Sequence, residues 1–420
     1  MNVLIRPGKL LGTIDAMPSK SHAHRLLIAR KIAQLQGQKK ASALKISTFS
    51  DDIDATKKCL VQLDKEMPYL DCKESGSTLR FLLPVAMALK NEAVFIGSGR
   101  LPERPISPLK EEMEAHGCRF KMGNKHQKVS DKHKEICTVT GKLASGEYKL
   151  AGNISSQFIT GLLFALPLLK GDSVLRLTTK LESAGYVDMT LDVLKEFGIK
   201  VTRSTSEEGF EIFEIPGNQI YIEPDDLCIE GDWSNASFWL VCGALGGSVT
   251  VRGLNLDSSQ RDKRIIDVLK LMGADIVVGD GITVTCPEGL KAVEINVAQT
   301  PDMVPVLAVS MALAEGSSMI TNAERLRMKE SDRLRTVYDF LIKLGADITY
   351  GGSGLSITGK SDLRGGEITS HNDHRIAMAA AVASCGCKRA VTITGAEAVK
   401  KSYPNFFKDF AALGGKVKEI

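Results

Sequence analysis

The chain has 420 residues, with 54 basic against 50 acidic side chains and a formal net charge of +4. That length exceeds the roughly 250–300 residues at which one hydrophobic core stops growing, so two domains are expected. An apolar fraction of 43% with 25% charged residues excludes disordered and fibrous classes, and the near-even charge balance with only 5% aromatics argues against a nucleic-acid-coating surface or stacking platform.

In chain order, the opening MNVLIRPGKLLGTIDAMPSKS has no apolar stretch after a basic start, so no secretory signal is expected. No window approaches the roughly 20 apolar residues that cross a bilayer. In MPSKSHAHRLLIARKIAQLQG, Pro18 and Ser19 predict a turn and Ser21 a cap for a helix running to about Gln36. An amphipathic stretch follows at residues 54–66. KESGSTLRFLLPVAMAL then places Ser75-Gly76-Ser77-Thr78 before an apolar helix, with Arg80 in its first turn. The Lys/His-rich run at 121–135 reads as a solvated hairpin, since Asp131 interrupts it and aromatics are scarce. GNISSQFITGLLFALPLL puts Ser155-Ser156-Gln157 ahead of another apolar helix. Pro224-Asp225-Asp226 breaks the pattern near 218–233 and marks a candidate boundary. QTPDMVPVLAVSMAL carries Asp302 at the start of a helix that is otherwise apolar, as an N-cap, a general base or both. RLRMKESDRLRTVYDFL predicts Lys329, Glu330 and Arg333 around one helical turn, and SHNDHRIAMAAAVAS sets Asn372-Asp373-His374-Arg375 before an alanine-rich helix.

One pattern recurs: an amphipathic helix, a glycine, then a short β-prone run. The glycines are Gly117, Gly198, Gly273, Gly345 and Gly414, each where a helix C-terminus calls for the left-handed conformation. Helix–glycine–strand is common punctuation in α/β proteins. The spacing of roughly 70–80 residues and the shared LMGAD and KLGAD wording nonetheless favour duplicated βαβαββ-sized units. A weaker sixth copy at 54–66 lacks the glycine, and six units suggest two domains of three.

The chemistry lies in what precedes the apolar helices. Ser21 and Arg25 share a helix face with Lys20 at the same end, where free N–H groups and the helix dipole favour an anion. An ordinary capped helix with solvated cations gives the same local pattern, but its return at residues 75–80, 155–157 and 372–375 points to buried helices converging on a polar cleft. Lys-Glu-x-x-Arg is usually a surface ion-pair ladder, yet Arg325 and Arg327 directly precede it, and so many cations need solvent or an anionic partner. Two small anionic substrates suit this inventory, with Asp302 and Glu330 available for proton transfer. No metal or cofactor is expected: His22, His24, His371 and His374 form no ligand set, and no Walker-type loop is present. The nine cysteines show no CxxC spacing, which suits a reduced, cytoplasmic protein.

SKSHAHR, SGSTLR, LPERPISPL, ISSQF, ESAGYVD, TPDMVP, RMKESDRL, NDHR and KKSYPNFF occur in the order seen in the 5-enolpyruvylshikimate-3-phosphate synthase family, which the chain resembles over essentially its whole length. The resemblance implies an α/β (α+β) fold of two similar domains, each of three βαβαββ units around buried parallel helices, an inside-out α/β barrel. It implies residues 1–13 plus 230–420 as domain I, on the phosphoenolpyruvate side, and 14–229 as domain II, on the shikimate 3-phosphate side, closing around substrate. The implied reaction transfers the enolpyruvyl group of phosphoenolpyruvate to the 5-hydroxyl of shikimate 3-phosphate. The partners it implies are these two small molecules, with no nucleic acid or membrane, and the working unit is expected to be a monomer. Lys20, Ser21, Arg25, Ser155, Ser156, Gln157, Ser183, Asp302 and Lys329 resemble the shikimate 3-phosphate contacts, with Tyr186 close by. Lys20, Gly76, Arg104, Gln157, Arg333, Arg375 and Lys401 resemble the phosphoenolpyruvate contacts. Asp302, Glu330 and Lys20 are the implied catalytic residues.

Glu74, Arg325 and Phe81 depart from the family's commoner residues. The nearest alternative is the sister transferase acting on UDP-N-acetylglucosamine. It usually carries a reactive cysteine where this chain reads IGSGRLPERPI, without one. A non-catalytic anion-binding module is the other alternative, against which the Asp302 and Glu330 pair argues.

Overall fold

A computed structural model describes residues 1–38, 50–123 and 133–420. The chain divides into two compact units, Met1–Ser19 with Glu230–Ile420, and Lys20–Ile229. Twelve α-helices lie among the described residues: α1 (Lys20–Leu35), α2 (Asp51–Gln62), α3 (Gly76–Leu89), α4 (Leu109–Ala115), α5 (Ser156–Ala165), α6 (Ala184–Glu196), α7 (Trp233–Ala244), α8 (Ile265–Leu271), α9 (Val304–Ala312), α10 (Arg333–Leu344), α11 (His374–Ala383) and α12 (Phe406–Ala412).

The first unit holds three four-stranded sheets. Their strand orders are Gly366–Thr369, Val391–Thr394, Asn2–Arg6, Lys416–Glu419; Leu11–Asp15, Ser248–Arg252, Ile282–Thr285, Asp275–Val278; and Glu294–Asn296, Ser317–Thr321, Leu355–Thr358, Asp347–Tyr350. In each sheet the first pair is parallel and the other two are antiparallel. The two sheets among the described residues of the second unit repeat that pattern: Tyr69–Asp71, Glu92–Gly97, Lys134–Gly141, Cys118–Met122, and Glu147–Leu150, Ser173–Leu177, Glu211–Ile215, Thr202–Thr205. Five sheets of one design match the five helix–glycine–strand copies. All five glycines have φ between +77° and +95°, and each leads into the outermost antiparallel strand of its sheet. The sixth copy behaves differently. α2 ends on Leu63 in a right-handed conformation, and the next strand, Tyr69–Asp71, belongs to the following sheet. Residues 39–49, and residues 124–132 of the run expected to form a hairpin, lie outside the described residues.

The expected boundary at residue 13 also shifts. Leu11–Asp15 pairs along its length with Ser248–Arg252, and Pro18 bridges Gly231, which keeps residues 14–19 with the first unit.

Each unit has its own apolar core. Every residue of α7, α9 and α11 is buried; apolar side chains dominate all three, with Trp233, Phe238 and Trp239 in α7 and Ala, Val, Ile and Met after His374 and Arg375 in α11. α3 and α5 pack equally tightly. Pro84 inside α3 has no N–H to offer the carbonyl of Arg80, and Gly161 of α5 lies against that carbonyl: a Cβ there would sit 2.4 Å from it. Gly161→Ala is therefore expected to destabilise the protein by roughly 1–3 kcal/mol, measured by urea unfolding.

Candidate active site

In the second unit, candidate residues gather at the starts of α1, α3, α5 and α6. α1 begins at Lys20, two residues earlier than a Ser21 cap predicts, so Ser21 lies in its first turn and is not the cap. Lys20 pairs with Asp52 at 2.8 Å. Arg25, on the buried side of α1, donates to Thr190 Oγ1 at 2.9 Å, Thr160 Oγ1 at 3.3 Å, and the carbonyls of Ser21 and Tyr186 at 2.7 and 2.8 Å. Its guanidinium also lies 5.1 Å from the Phe81 ring centre and 5.9 Å from that of Tyr186. All these hydrogen bonds end on neutral oxygens. Burial therefore pushes Arg25 down to about 9, and the same burial, with Arg25 beside it, holds His22 at about 4. A desolvated cation of this kind favours an anion.

Ser155 caps α5 by accepting from Gln157 N–H at 3.3 Å. The Gln157 amide spans two elements, accepting from Arg80 Nη1 at 2.6 Å and donating to Ser77 Oγ at 2.9 Å. Ser156 is buried in the first turn of α5, and Ser183 precedes α6 with φ of +55°, a left-handed backbone unusual for serine. Gly76 opens α3 under the Arg104 guanidinium, where a Cβ would lie 2.8 Å from Nη1. Any larger residue would lift that guanidinium off the helix start.

The first unit holds a different cluster, organised by Arg333. Its side chain is fully buried and meets three carboxylates: Nη1 donates to Asp302 Oδ1 at 2.8 Å, Nη2 to Glu330 Oε2 at 2.7 Å, and Nε and Nη2 to Asp373 at 3.0 and 3.2 Å. Asp373 also caps α11 by accepting from Arg375 N–H at 3.0 Å, and Ser331 Oγ bonds it at 2.9 Å. Asp302 has further cations around it. Lys329 Nζ lies 3.4 Å and Arg375 Nε 3.7 Å from Oδ1, and Arg375 Nη1 donates to the Asp302 carbonyl at 3.1 Å. Burial lowers Lys329 despite the opposing pull of Asp302. Lys401 donates to the Asn372 carbonyl at 2.7 Å.

Two expectations change here. Lys329 and Glu330 do not share a helical turn with Arg333: a 3-10 turn ends at Met328, Lys329 is extended, and Asp332 caps α10. Hydrogen bonds from Arg333 to Glu330 and Asp302, with Lys329 drawn to that same Asp302, bring the group together instead. Asp302 sits within the 3-10 turn Pro301–Met303, and the residue that precedes α9 is Met303, so Asp302 does not occupy that helix's cap position. No trio of His, Cys, Asp or Glu that could hold a metal occurs among the described residues.

The sequence reading assigned no role to Asp373, whose only signal was its place before a helix. It missed Asp262, which carries no local motif. Asp262 lies buried in the turn before α8 and accepts a hydrogen bond from Ser234. Burial, then repulsion from Asp302, pushes it up to about 6, while Arg375 and Ser234 act the other way. A carboxyl raised above its ordinary value of 3.8 binds its proton more tightly in the folded state, so it costs stability progressively as pH rises from about 4 through 6. Asp262→Asn is expected to be more stable than the parent above pH 7 by on the order of 1–3 kcal/mol, with the gap closing towards pH 4. Urea unfolding across that range measures it.

Residues 62–410 match the sequence model of the family described as EPSP synthase (3-phosphoshikimate 1-carboxyvinyltransferase). A 3-phosphoshikimate 1-carboxyvinyltransferase of Clostridium kluyveri is 43% identical over 99% of this chain and 98% of its own length. One from Clostridium perfringens is 41% identical over 99% of both. The EPSP synthase structure from Acinetobacter baumannii superposes with a TM-score of 0.78 at 23% identity over all of both chains, and the enolpyruvyl transferase NikO from Streptomyces tendae with 0.71 at 16% identity over 99% and 98%. At such identities the two structures speak to the fold, and the relatives of Clostridium to the family. The chain belongs to the EPSP synthase (3-phosphoshikimate 1-carboxyvinyltransferase) family.

Proposed function

We propose that this enzyme performs the transfer of enolpyruvyl from phosphoenolpyruvate to the 5-hydroxyl of shikimate 3-phosphate by addition and then elimination, with Asp302 and Glu330 moving the protons. In the addition, Asp302 takes the hydroxyl proton as the oxygen bonds C2 of phosphoenolpyruvate, and Glu330 delivers a proton to C3. In the elimination, the C2–phosphate bond breaks, C3 returns a proton, the double bond re-forms and phosphate leaves. One observation carries this reading: a single buried guanidinium, that of Arg333, holds both carboxylates at 2.8 and 2.7 Å. Two acids fixed on one cation keep a constant separation, which a two-proton sequence needs.

The cations take the substrates. Arg25, with only neutral oxygens around it, is suited to shikimate 3-phosphate, together with Lys20, Ser21, Ser155, Ser156, Gln157, Ser183, Lys329 and Asp302. Arg375, Lys401, Arg104, Lys20 and Gln157 are suited to phosphoenolpyruvate, with the Gly76 backbone and Arg333. Arg333 acts here mainly by orienting its carboxylates, since its hydrogen bonds are spent on them. All nine cysteines are free thiols, which supports a reducing compartment such as the cytoplasm. No described helix is long and apolar enough to cross a membrane.

Phosphate release from phosphoenolpyruvate should require shikimate 3-phosphate. Release with UDP-N-acetylglucosamine in its place would transfer the chain to the sister substrate. Asp302→Asn and Glu330→Gln, which keep acceptors for Arg333, should each lower kcat roughly 10²–10⁴-fold while substrate binding persists. Near-normal turnover in both would remove the proposed proton carriers. Arg375→Ala should raise KM for phosphoenolpyruvate.

A further inference from the structure

A chain of buried hydrogen bonds in the second unit has no part in the reaction as described above. His24 Nδ1 meets Thr56 Oγ1 at 2.8 Å, Thr56 meets Thr78 Oγ1 at 2.6 Å, and Thr78 donates to Ser75 Oγ at 2.7 Å. All four residues are at most 3% exposed. They link α1, α2 and the first turn of α3, where Ser75 is the cap. The hydrogens can be placed by counting. Each threonine hydroxyl has one. Thr78 gives its hydrogen to Ser75, so Thr56 must donate to Thr78, and His24 must donate to Thr56. The imidazole is therefore fixed as the Nδ1–H tautomer. Its Nε2 is buried without a hydrogen-bond partner among the described residues, so a second proton there would have no acceptor among them. Lys20 and Arg25 oppose that proton further, and His24 stays neutral well below its ordinary range. The same ring makes a T-shaped contact with Phe81, the ring centres 6.3 Å apart, and the Arg25 guanidinium lies 5.1 Å from the centre of that Phe81 ring.

We propose that His24 is a positioning residue: its directed chain through Thr56 and Thr78 holds Ser75, and hence the Gly76 backbone at the start of α3, in the setting that phosphoenolpyruvate requires. The proposal rests on the reading of Gly76 and Arg104 as phosphoenolpyruvate contacts. Ser75 receives both the backbone N–H and the hydroxyl of Thr78, so its side chain cannot turn away without breaking two bonds. The chain terminates one residue before the glycine that lies beneath Arg104. A protonatable or freely rotating group at position 24 would release it.

The test has two arms on the full-length protein. The first is a long-range 1H–15N NMR spectrum of protein labelled with 15N-histidine. His24 should show a neutral ring protonated on Nδ1 at pH 7.5; protonation on Nε2, or a charged ring, overturns the proposal. The second arm is steady-state kinetics of His24→Asn, His24→Gln and Thr78→Val. An asparagine amide nitrogen falls near the Nδ1 position, whereas that of glutamine falls towards Nε2. His24→Asn should stay within about 3-fold of the parent KM for phosphoenolpyruvate, while the other two should raise it about 5–10-fold with a smaller change in kcat, the size of one lost hydrogen bond. Arg104→Ala is the control. If it raises that KM while His24→Gln and Thr78→Val leave theirs unchanged, the His24 proposal is wrong and the reading of the site stands. If Arg104→Ala also leaves KM unchanged, the reading of the site fails and takes the proposal with it.

Discussion

Burying the Arg333 guanidinium is the constraint on which the first unit's chemistry depends. Burial opposes its charge, yet Asp373, Glu330 and Asp302 more than offset this and raise it further above its ordinary value. The dependence is mutual. Asp373 is completely buried, which alone would neutralise it, but Arg333 and His374 hold its carboxyl below its ordinary value. Removing one member of such a buried set leaves an uncompensated charge, at a cost of about 3–5 kcal/mol. The cation that aligns the two proposed proton carriers is thus also structurally difficult to replace. Asp373 extends the arrangement into the fold, because it caps α11 and so ties Arg333 to the helix that starts with Arg375.

The second unit follows the opposite electrostatic plan. Arg25 is equally buried but meets hydroxyls, carbonyls and ring faces, and no carboxylate offsets its lost hydration. A bound phosphate would supply that missing charge. On the proposed reading, the acids of the first unit prepare proton transfer, whereas Arg25 in the second, bonded to neutral groups, would take an anionic substrate. A shared structural device underlies both: apolar helices whose first residues are capped by Ser75, Ser155, Asp232 or Asp373. Packing fixes the helices, and the caps keep their polar ends available.

Much of this was legible in the sequence wherever one residue type has one conformational consequence. Gly117, Gly198, Gly273, Gly345 and Gly414 all adopt the expected left-handed backbone, and the apolar runs beginning near residues 76, 156, 304 and 374 are all buried helices. Local pattern failed where tertiary contacts decide. Spacing suggested a shared helical turn for Lys329, Glu330 and Arg333, but Asp332 caps α10 and leaves the first two outside it. Ser21 has the chemistry of a cap, yet the helix starts at Lys20. Asp262 with Ser234, and His24 with Thr56 and Thr56 with Thr78, are joined across 22 to 32 residues, with no periodicity to announce them.

Steady-state kinetics of Arg333→Lys would test the central claim most directly. Lysine keeps the charge but cannot reach three carboxylates in a fixed fork. A fall in kcat of about 100-fold or more is expected from misaligned proton carriers, with the folded protein still binding shikimate 3-phosphate. A variant that turns over at near-parental kcat would show that Asp302 and Glu330 do not depend on that guanidinium, and would contradict the account.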